Sequence, residues 1–154
     1  MTKQNTNPGY LLGMDIGNSK THALISDFSG NVVGFGQTGC GSYEVLGKEG
    51  MANVINQVAQ EALTDAKLIK PDIAAMGFGI AGYDWPTEKQ IMVEAIDSLG
   101  IKTAYKFVND AVIGLLAGAS MGWGIAVDAG TGNNVRGRDQ FGRIGRITGD
   151  GRLF

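Results

Sequence analysis

The stretch LLGMDIGNSKTHALISDFSGNVVGFGQ, which runs from Leu11 to Gln37, decides the fold of this chain. An apolar run ends near Asp15, and the polar segment Gly-Asn-Ser-Lys-Thr then leads directly into a second apolar run. A plain hairpin would favour Asn-Gly or Asp-Gly at its turn, not a lysine flanked by hydroxyl groups. The stretch therefore predicts three strands, with a turn suited to ligand binding between the first two and the turn DFSGN between the second and third.

Composition narrows the class of protein. The chain has 154 residues and a formal net charge of −2, which fits one domain, or one domain plus part of another, and argues against non-specific nucleic-acid binding. A single cysteine, Cys40, excludes a disulfide framework and a multi-cysteine zinc site within the chain. Because no apolar run approaches the ~20 residues of a membrane span, we expect a soluble cytoplasmic protein without a membrane partner.

The basic residues are unevenly placed. All five arginines fall within the last 19 residues of the chain. The favoured interpretation is a solvated, solubilising surface, and the alternative is a basic edge that faces phosphate. These residues are Arg136, Arg138, Arg143, Arg146 and Arg152.

The rest of the chain alternates strands and helices, a pattern typical of an α/β fold. Apolar positions from Lys48 to Leu68 recur at helical spacing, and Pro71 is expected to end that unit. A second helix is expected to be capped by Asp84 or Thr87. The other predicted elements are strands at Tyr10–Met14, His22–Ile25, Asn31–Gly36, Ile73–Ile80, Ala104–Val108 and within Gly122–Gly132, and a short helix that opens at Asp110.

A weak internal repeat links the two ends of the chain. LGMDIGNSKTHALISDFSGNVVG and IAVDAGTGNNVRGRDQFGRIGR both read as an apolar strand, Asp-x-Gly, small polar residues, a second strand, a turn and a third strand. Such self-similarity at long separation suggests duplicated lobes. We expect one complete lobe at residues 1–120 and the opening hairpins of its twin at 121–154. The repeat equates Asp15 with Asp128, Gly17 with Gly130, and the turn at Asp27 with that at Asp139.

The two Asp-x-Gly turns are candidate phosphate sites. Backbone N–H groups in such a turn point the same way and form an anion nest, and glycine lets the main chain approach phosphate oxygens. A carboxylate at each turn suits a hydrated Mg²⁺. Two ordinary tight turns remain the alternative, which the recurrence disfavours. The candidate groups are the glycines Gly17 and Gly130, the hydroxyls of Ser19, Thr21 and Thr131, the amine of Lys20, and the carboxylates of Asp15 and Asp128.

Asp110 follows the apolar strand KFVN, at the end where open α/β sheets place their ligands. Its structural role would be a helix N-cap worth about 1 kcal/mol. Its catalytic role would be to accept a proton from an attacking hydroxyl, and both roles are compatible. The only histidine, His22, is interpreted as structural.

Two glycine patterns, GFGQTG (Gly34–Gly39) and GFGIAG (Gly77–Gly82), match a dinucleotide fingerprint. That fingerprint requires a position between a strand and the helix it opens. The first pattern falls inside and after the third predicted strand, and the second lies largely within a strand, where small residues permit close packing. Neither is therefore interpreted as a dinucleotide site.

Together these motifs resemble the sugar kinase–Hsp70–actin ATPase superfamily, and most closely the branch of N-acetylglucosamine kinases and BadF/BadG/BcrA/BcrD-type ATPases. GMDIGNSKTHALISDFSGNVVG is similar to its first phosphate motif, and GIAVDAGTGNNVRG to its second. GFGIAGYDWP is similar to the strand that leads into the sugar cleft, and FVNDAVIGLLAG to the segment with the catalytic aspartate.

The resemblance implies an α/β chain: a ribonuclease-H-like lobe with a mixed five-stranded sheet and flanking helices, plus the opening hairpins of a second lobe. It implies ATP and Mg²⁺, with phosphoryl transfer to a sugar hydroxyl and Asp110 as the base. Metal binding would fall to Asp15 and Asp128. The phosphates would contact Asp15, Gly17, Asn18, Ser19, Lys20, Thr21, Gly130, Thr131, Gly132 and Asn133, and the sugar Ser42, Gly82, Asp84, Asn109, Asp110 and Asp150.

The resemblance also implies partners. A nucleotide and a small sugar would be the ligands, the second lobe of the same protein would be the missing partner, and a homodimer is compatible. Where family members usually read Gly-Gly-Trp-Gly and Gly-Asp-Glu-Gly-Ser, this chain reads GRIG (Gly142–Gly145) and GDGRL (Gly149–Leu153). We expect a fragment or separate lobe with little or no turnover alone. Two alternatives stay open: an ATPase that activates a dehydratase or reductase, and a non-catalytic sugar- or nucleotide-sensing module.

Overall fold

The computed structural model describes residues 9–129 and 133–148. Short 3₁₀ turns at Lys70–Asp72 and Pro86–Glu88 precede a strand and a helix. The main elements, in chain order, are β1 (Tyr10–Ile16), β2 (Thr21–Ser26), β3 (Val32–Thr38), α1 (Tyr43–Ala66), β4 (Ile73–Ile80), α2 (Lys89–Asp97), β5 (Ala104–Asn109), α3 (Asp110–Gly118), β6 (Gly124–Ala129), β7 (Asn133–Arg138) and β8 (Ile144–Thr148).

Two sheets organise these elements. The first has five strands in the order β3-β2-β1-β4-β5, and the second has three in the order β6-β7-β8. Strands β1, β2 and β3 form an antiparallel meander, whereas β4 runs parallel to β1 and β5 parallel to β4. The predicted mixed five-stranded sheet is confirmed. Because β1, β4 and β5 are parallel, their carboxyl ends meet at one edge, where such sheets place their ligands.

Helices α1 and α2 cover one face of the five-stranded sheet and enclose the core. Alternate residues of each strand point into this layer, as the period of two requires. Helix α3 crosses the opposite face and contacts β6 and β7 of the second sheet. The largest fully buried side chains include Leu12, Met14, Ile16 and Ile25 of the meander, Met51, Ile55 and Leu63 of α1, Phe78 and Ile80 of β4, and Met92 and Ile96 of α2.

Two glycines of β3 allow α1 to approach the sheet closely. A Cβ on Gly34 would collide with the carbonyl oxygen of Ala62, and one on Gly36 with that of Val58. Both positions lie within β3, not between a strand and the helix it opens. This position agrees with the rejection of GFGQTG as a dinucleotide site, and the structure gives its first two glycines a packing role.

The ends of α1 differ from the prediction. The helix begins at Tyr43, but Gly47, at φ 69° and ψ 176°, interrupts it, so the regular helix resumes at the predicted start, Lys48. Its end at Ala66 is set by Lys67, which adopts a left-handed φ of 57° and donates its N–H to the carbonyl of Thr64. The prediction that Pro71 ends this helix is wrong.

The start of α2 also differs from the prediction. Neither Asp84 nor Thr87 caps the helix; its N-cap is Glu88, whose own side chain does not cap α2. The Glu88 carboxylate instead accepts hydrogen bonds from the N–H groups of Asp84 at 2.7 Å and Trp85 at 2.8 Å. The Glu88 side chain thereby stabilises the 3₁₀ turn through hydrogen bonds to the backbone that precedes it.

The predicted repeat is visible in two turns with the same hydrogen bonds. In one, the Asp27 carboxylate accepts N–H bonds from Ser29 at 2.8 Å and Asn31 at 2.9 Å. In the other, the Asp139 carboxylate accepts N–H bonds from Phe141 and Arg143, both at 2.9 Å. The glycines between them, Gly30 and Gly142, have φ values of 84° and 81°, a region that favours glycine. Each turn joins the second and third strands of a three-stranded meander.

None of the helices in the described part of the chain is long and apolar enough to span a membrane.

The close approach of α1 to β3 gives a stability prediction. Gly36→Ala should lower the free energy of unfolding by about 1–3 kcal/mol, because the new methyl group meets helix backbone that cannot move aside. Gly13→Ala in β1 is the matched control, since a Cβ there would meet nothing within 4 Å; we expect a change within about 0.5 kcal/mol. Urea unfolding monitored by circular dichroism measures both, and equal effects would contradict the packing argument.

Candidate active site

The candidate site lies at the carboxyl edge of the parallel strands. In the pairing of β1 with β4, Asp15 stands opposite Gly79. A Cβ on Gly79 would collide with the side chain of Ile113 and would lie 3.4 Å from the Cα of Asp110. Gly79 therefore lets the first turn of α3 sit on the sheet, with Asp110 on one side of this glycine and Asp15 on the other.

The carboxyl group of Asp110 is half-buried in a negatively charged surrounding. Burial raises the pKa of Asp110, and the charges of Asp128, Asp15 and Asp84 raise it further, while a hydrogen bond from the Ala111 N–H acts the other way. These three carboxylates lie within electrostatic reach of Asp110, although Asp128 belongs to the second sheet. The arrangement holds a carboxylate that gains a proton more readily than an ordinary aspartate.

Asp110 is the first residue of α3 and not its cap. The N-cap is Asn109, whose side-chain oxygen accepts the Ala111 N–H at 3.1 Å. The Asp110 carboxylate accepts the same N–H at 2.9 Å. The predicted N-cap role thus belongs mainly to Asn109, the preceding residue.

The turn between β1 and β2 presents three polar side chains to solvent. Gly17 donates its N–H to the Lys20 carbonyl at 3.0 Å, and a Cβ on Gly17 would lie only 2.8 Å from that oxygen. The side chains of Asn18, Ser19 and Lys20 are exposed. Glycine is needed for this tight turn, which leaves the predicted phosphate-binding side chains free to meet a ligand.

Two hydroxyl groups that were predicted to bind ligands are buried and do not face solvent. Thr21 and Ser42 are fully buried, and their hydroxyl oxygens have no hydrogen-bond partner among the described residues. Gly41 lies directly over Thr21, because a Cβ on Gly41 would be 2.5 Å from the Thr21 hydroxyl. In this conformation neither hydroxyl can reach a phosphate or a sugar.

Other predicted sugar contacts cluster in the loop after β4. Gly82 has a φ of 79°, and a Cβ there would lie 3.0 Å from the Glu44 carboxylate. Burial raises the pKa of Glu44, assisted by the charges of Asp84 and Glu88. Nothing local in the sequence indicates a site at Glu44, because a glutamate in the first turn of a helix is ordinarily only a dipole partner.

Part of the predicted site lies outside the described residues. Gly130, Thr131, Gly132 and Asp150 fall there, and for Asn133 only the backbone is described. Within residues 9–129 and 133–148, no group of three or more His, Cys, Asp or Glu side chains could hold a metal ion alone. Mg²⁺ is commonly held by one or two carboxylates with waters and phosphate oxygens. The exposed carboxylates of Asp15 and Asp128 fit that mode, and a cation there would offset the negative charge around Asp110.

Two of the arginines contradict both interpretations of the basic cluster. Arg136 is buried and donates to the carboxylate of Asp84, and the guanidinium of Arg146 lies 3.5 Å from the ring centre of Trp85. Both arginines thus bind the loop after β4, neither as a solvated surface nor as a phosphate edge. Arg143 pairs locally with Asp139 at 2.5 Å. Arg138 donates to the carbonyl of Gly122, and Arg152 lies outside the described residues.

Comparison with known proteins identifies relatives of this chain. The family model of the BadF/BadG/BcrA/BcrD ATPases matches residues 12–154. The chain is 33% identical over 145 residues to an N-acetylmuramic acid/N-acetylglucosamine kinase of Clostridium acetobutylicum, covering 94% of this chain and 47% of that protein. It is 27% identical to an N-acetyl-D-glucosamine kinase of Dictyostelium discoideum, covering 93% of this chain and 48% of that protein. The chain spans about half the length of the curated relatives it matches.

The fold matches solved structures of similar proteins. A crystal structure of a proposed N-acetylglucosamine kinase from Chromobacterium violaceum superposes with a TM-score of 0.76 at 22% identity, covering 95% of this chain and 50% of that one. At this identity the likeness concerns the fold. It confirms the predicted lobe of the actin-like ATPase fold, with the opening strands of a second lobe.

The raised pKa of Asp110 gives a prediction about stability and pH. Because its pKa is higher in the folded chain than in the unfolded chain, the charged carboxylate weakens folding above the ordinary carboxyl range near pH 4. Asp110→Asn should therefore stabilise the chain at pH 7, and this gain should shrink as the pH falls towards about 4. Urea unfolding at several pH values measures it.

Asp27→Asn is the control, and its expected effect on stability has the opposite sign. The Asn31 side chain and backbone N–H groups lower the pKa of Asp27. Its carboxylate therefore contributes stability at neutral pH that is lost as the pH falls through its folded pKa. The substitution should destabilise the chain at pH 7 and matter less in acid. A destabilising Asp110→Asn at pH 7 would count against the proposed electrostatic surrounding.

Proposed function

Because the chain belongs to the BadF/BadG/BcrA/BcrD ATPase family, we propose that it provides the acceptor-side lobe of an ATP-dependent sugar kinase. The curated relatives act on amino sugars, and each aligns with more than nine-tenths of this chain. The observation that carries the proposal is the placement of Asp110 at the carboxyl edge of the sheet, half-buried and within reach of the charges of Asp15 and Asp128. An amino sugar is the proposed substrate class.

In this proposal Asp110 is the general base. Its carboxylate accepts the proton of the attacking sugar hydroxyl as the new oxygen–phosphorus bond forms and the bond from the γ-phosphorus to ADP breaks. This contribution is typically about 10²–10⁴-fold in rate. Burial and neighbouring carboxylates raise the pKa of Asp110, which increases the affinity of this group for the proton. The first turn of α3 holds the carboxylate in place through the Ala111 N–H.

The turn at residues 17–20 would hold the phosphates. Lys20 neutralises charge, and the exposed Asn18 and Ser19 side chains donate hydrogen bonds. When bound, Mg²⁺–ATP supplies the phosphoryl group, and Asp15 and Asp128 are the residues that would hold the metal through water. Catalysis of this kind consists mainly of positioning and charge stabilisation.

The activity is proposed for a protein longer than this chain. Several large apolar side chains of the three-stranded sheet are more than 70% exposed, among them Ile125, Val127 and Ile147. Exposed apolar surface of this kind favours a covering partner. We propose that the remainder of the second lobe covers this surface and that the isolated chain has little or no turnover.

The first test is a substitution of the proposed base in the full-length protein. Asp110→Asn should abolish phosphoryl transfer from ATP to every member of a panel that includes N-acetylglucosamine, N-acetylmuramic acid and glucose. Calorimetry should show nucleotide binding largely retained. Asp139→Asn, in a turn of the second sheet, is the control and should keep its activity. Turnover of Asp110→Asn at the wild-type rate would refute the assigned base.

A second test addresses the phosphate turn. Lys20→Ala should raise the KM for ATP about tenfold to a hundredfold, the expected cost of losing a charged hydrogen bond of about 1.5–3 kcal/mol. The KM for the sugar should change little. Lys102→Ala is the matched control, because this exposed lysine precedes β5 at the opposite edge of the sheet. An unchanged KM for ATP in Lys20→Ala would remove the turn from the nucleotide site.

A further inference from the structure

An ion pair between a buried arginine and a partly exposed aspartate joins the two sheets beside the candidate site. Arg136 of β7 is only 4% exposed, and its guanidinium donates to the carboxylate of Asp84 in the loop after β4. The two residues are 52 positions apart in the chain. The second sheet is thereby held against the edge of the first by a charged contact, in addition to the packing of α3.

Asn109 continues this contact to the start of α3. Its amide nitrogen donates to the Asp84 carboxylate at 3.3 Å and to the Tyr83 carbonyl at 3.4 Å. Its amide oxygen accepts from the Asn134 side chain at 3.1 Å and from the Ala111 N–H at 3.1 Å. All four hydrogen-bonding positions of Asn109 are therefore used. The last of these bonds fixes the first turn of α3, next to Asp110.

Arg146 of β8 supports the same loop. Its guanidinium donates to the Asp84 carbonyl at 2.7 Å and lies over the Trp85 ring. Planar guanidinium groups stack on aromatic rings in this way, with an attraction that grows as water is excluded. Two arginines from neighbouring strands of the second sheet thus contact the same loop of the first sheet, the loop after β4.

Within the described part of the chain, the network leaves two buried polar atoms without a partner. Among the described residues, Arg136 Nε and Asn134 Oδ1 have no hydrogen-bond partner, and unpartnered buried polar atoms are costly. Replacing a buried ion pair with apolar residues is often neutral or stabilising. A charged contact at this junction is therefore weak evidence for a purely stabilising role.

We propose that Arg136 is a positioning residue for Asp110, acting through Asp84 and Asn109. In this proposal, which rests on the proposed function, Asp84 and Asn109 orient the first turn of α3 and do not bind the sugar directly. The Oδ1 atom of Asp84 accepts from Arg136 and Asn109 and lies 3.9 Å from the Arg146 guanidinium, and Asn109 has no free position. The orientation of the base, Asp110, towards the sugar hydroxyl then depends on a residue of the second sheet, Arg136.

A kinetic test in the full-length protein separates positioning from direct sugar binding. Asp84→Asn and Arg136→Gln should each lower kcat about tenfold to a hundredfold, because small misplacements of a reacting group are that costly. The sugar KM should stay within about twofold, since no sugar contact is removed. The double substitution should be no worse than the more harmful single one, because both residues act through one contact.

Other outcomes overturn the proposal. If Asp84→Asn raises the sugar KM while Arg136→Gln changes neither constant, Asp84 is a direct sugar ligand. Additive losses in the double variant would mean that the two residues act independently. Arg143→Gln is the matched control, because this arginine also pairs with an aspartate in the second sheet but lies on an exposed turn; it should leave kcat unchanged. Should Arg136→Gln fail to fold, Arg136→Lys keeps the charge but not the paired donors, and kcat should still fall.

A spectroscopic measurement on the chain itself keeps this proposal separate from the proposed function. In a Trp123→Phe background, Trp85 is the only tryptophan. It reports on the loop after β4, which Arg136 and Arg146 contact. Arg136→Gln should make Trp85 emission more readily quenched by acrylamide, and Arg143→Gln should not. Increased quenching in this chain, together with no kinase activity in the full-length protein, would uphold the network and refute the kinase. Unchanged quenching and unchanged kcat would refute the network.

Discussion

The parallel pairing of β1 with β4 and of β4 with β5 is the constraint on which the rest of the structure depends. It brings the carboxyl ends of three strands to one edge, so that residues far apart in sequence meet there. Asp15 stands beside Gly79, and the absence of a side chain at this glycine lets α3 begin directly on the sheet. A larger residue at position 79 would lift the first turn of α3 and carry Asp110 away from Asp15.

The site concentrates negative charge. Asp15, Asp84 and Asp128 all act on Asp110, whose own carboxyl is half-buried. Such an arrangement opposes folding, because like charges repel and burial disfavours ionisation. Arg136 neutralises one of these carboxylates from the second sheet. A bound cation would offset the others, so the same charges that weaken the free chain favour a metal-bound nucleotide.

Local patterns in the sequence were sufficient for most of the fold. Apolar runs bounded by turn residues predicted the strands, and the repeat predicted two equivalent meanders with matching turns at Asp27 and Asp139. The break at Gly47 and the end at Lys67 were not predictable, because each depends on a single backbone conformation. The candidate site was predicted where residues adjoin strand ends. Its long-range contacts were not, because nothing local to Arg136 indicates a partner 52 positions away.

The equivalence of the two meanders has a further consequence at one pair of positions. Counted from the aspartate of each first strand, Leu24 in β2 corresponds to Arg136 in β7: Leu24 pairs with Gly13, and Arg136 with Ala126. Leu24 is 45% exposed, whereas Arg136 is 4% exposed. The apolar member of this pair faces water and the charged member is enclosed, the reverse of what hydropathy favours. Equivalent strand positions therefore carry different residues in the two copies. Contact with the neighbouring sheet, and not the strand itself, determines which copy buries a charge.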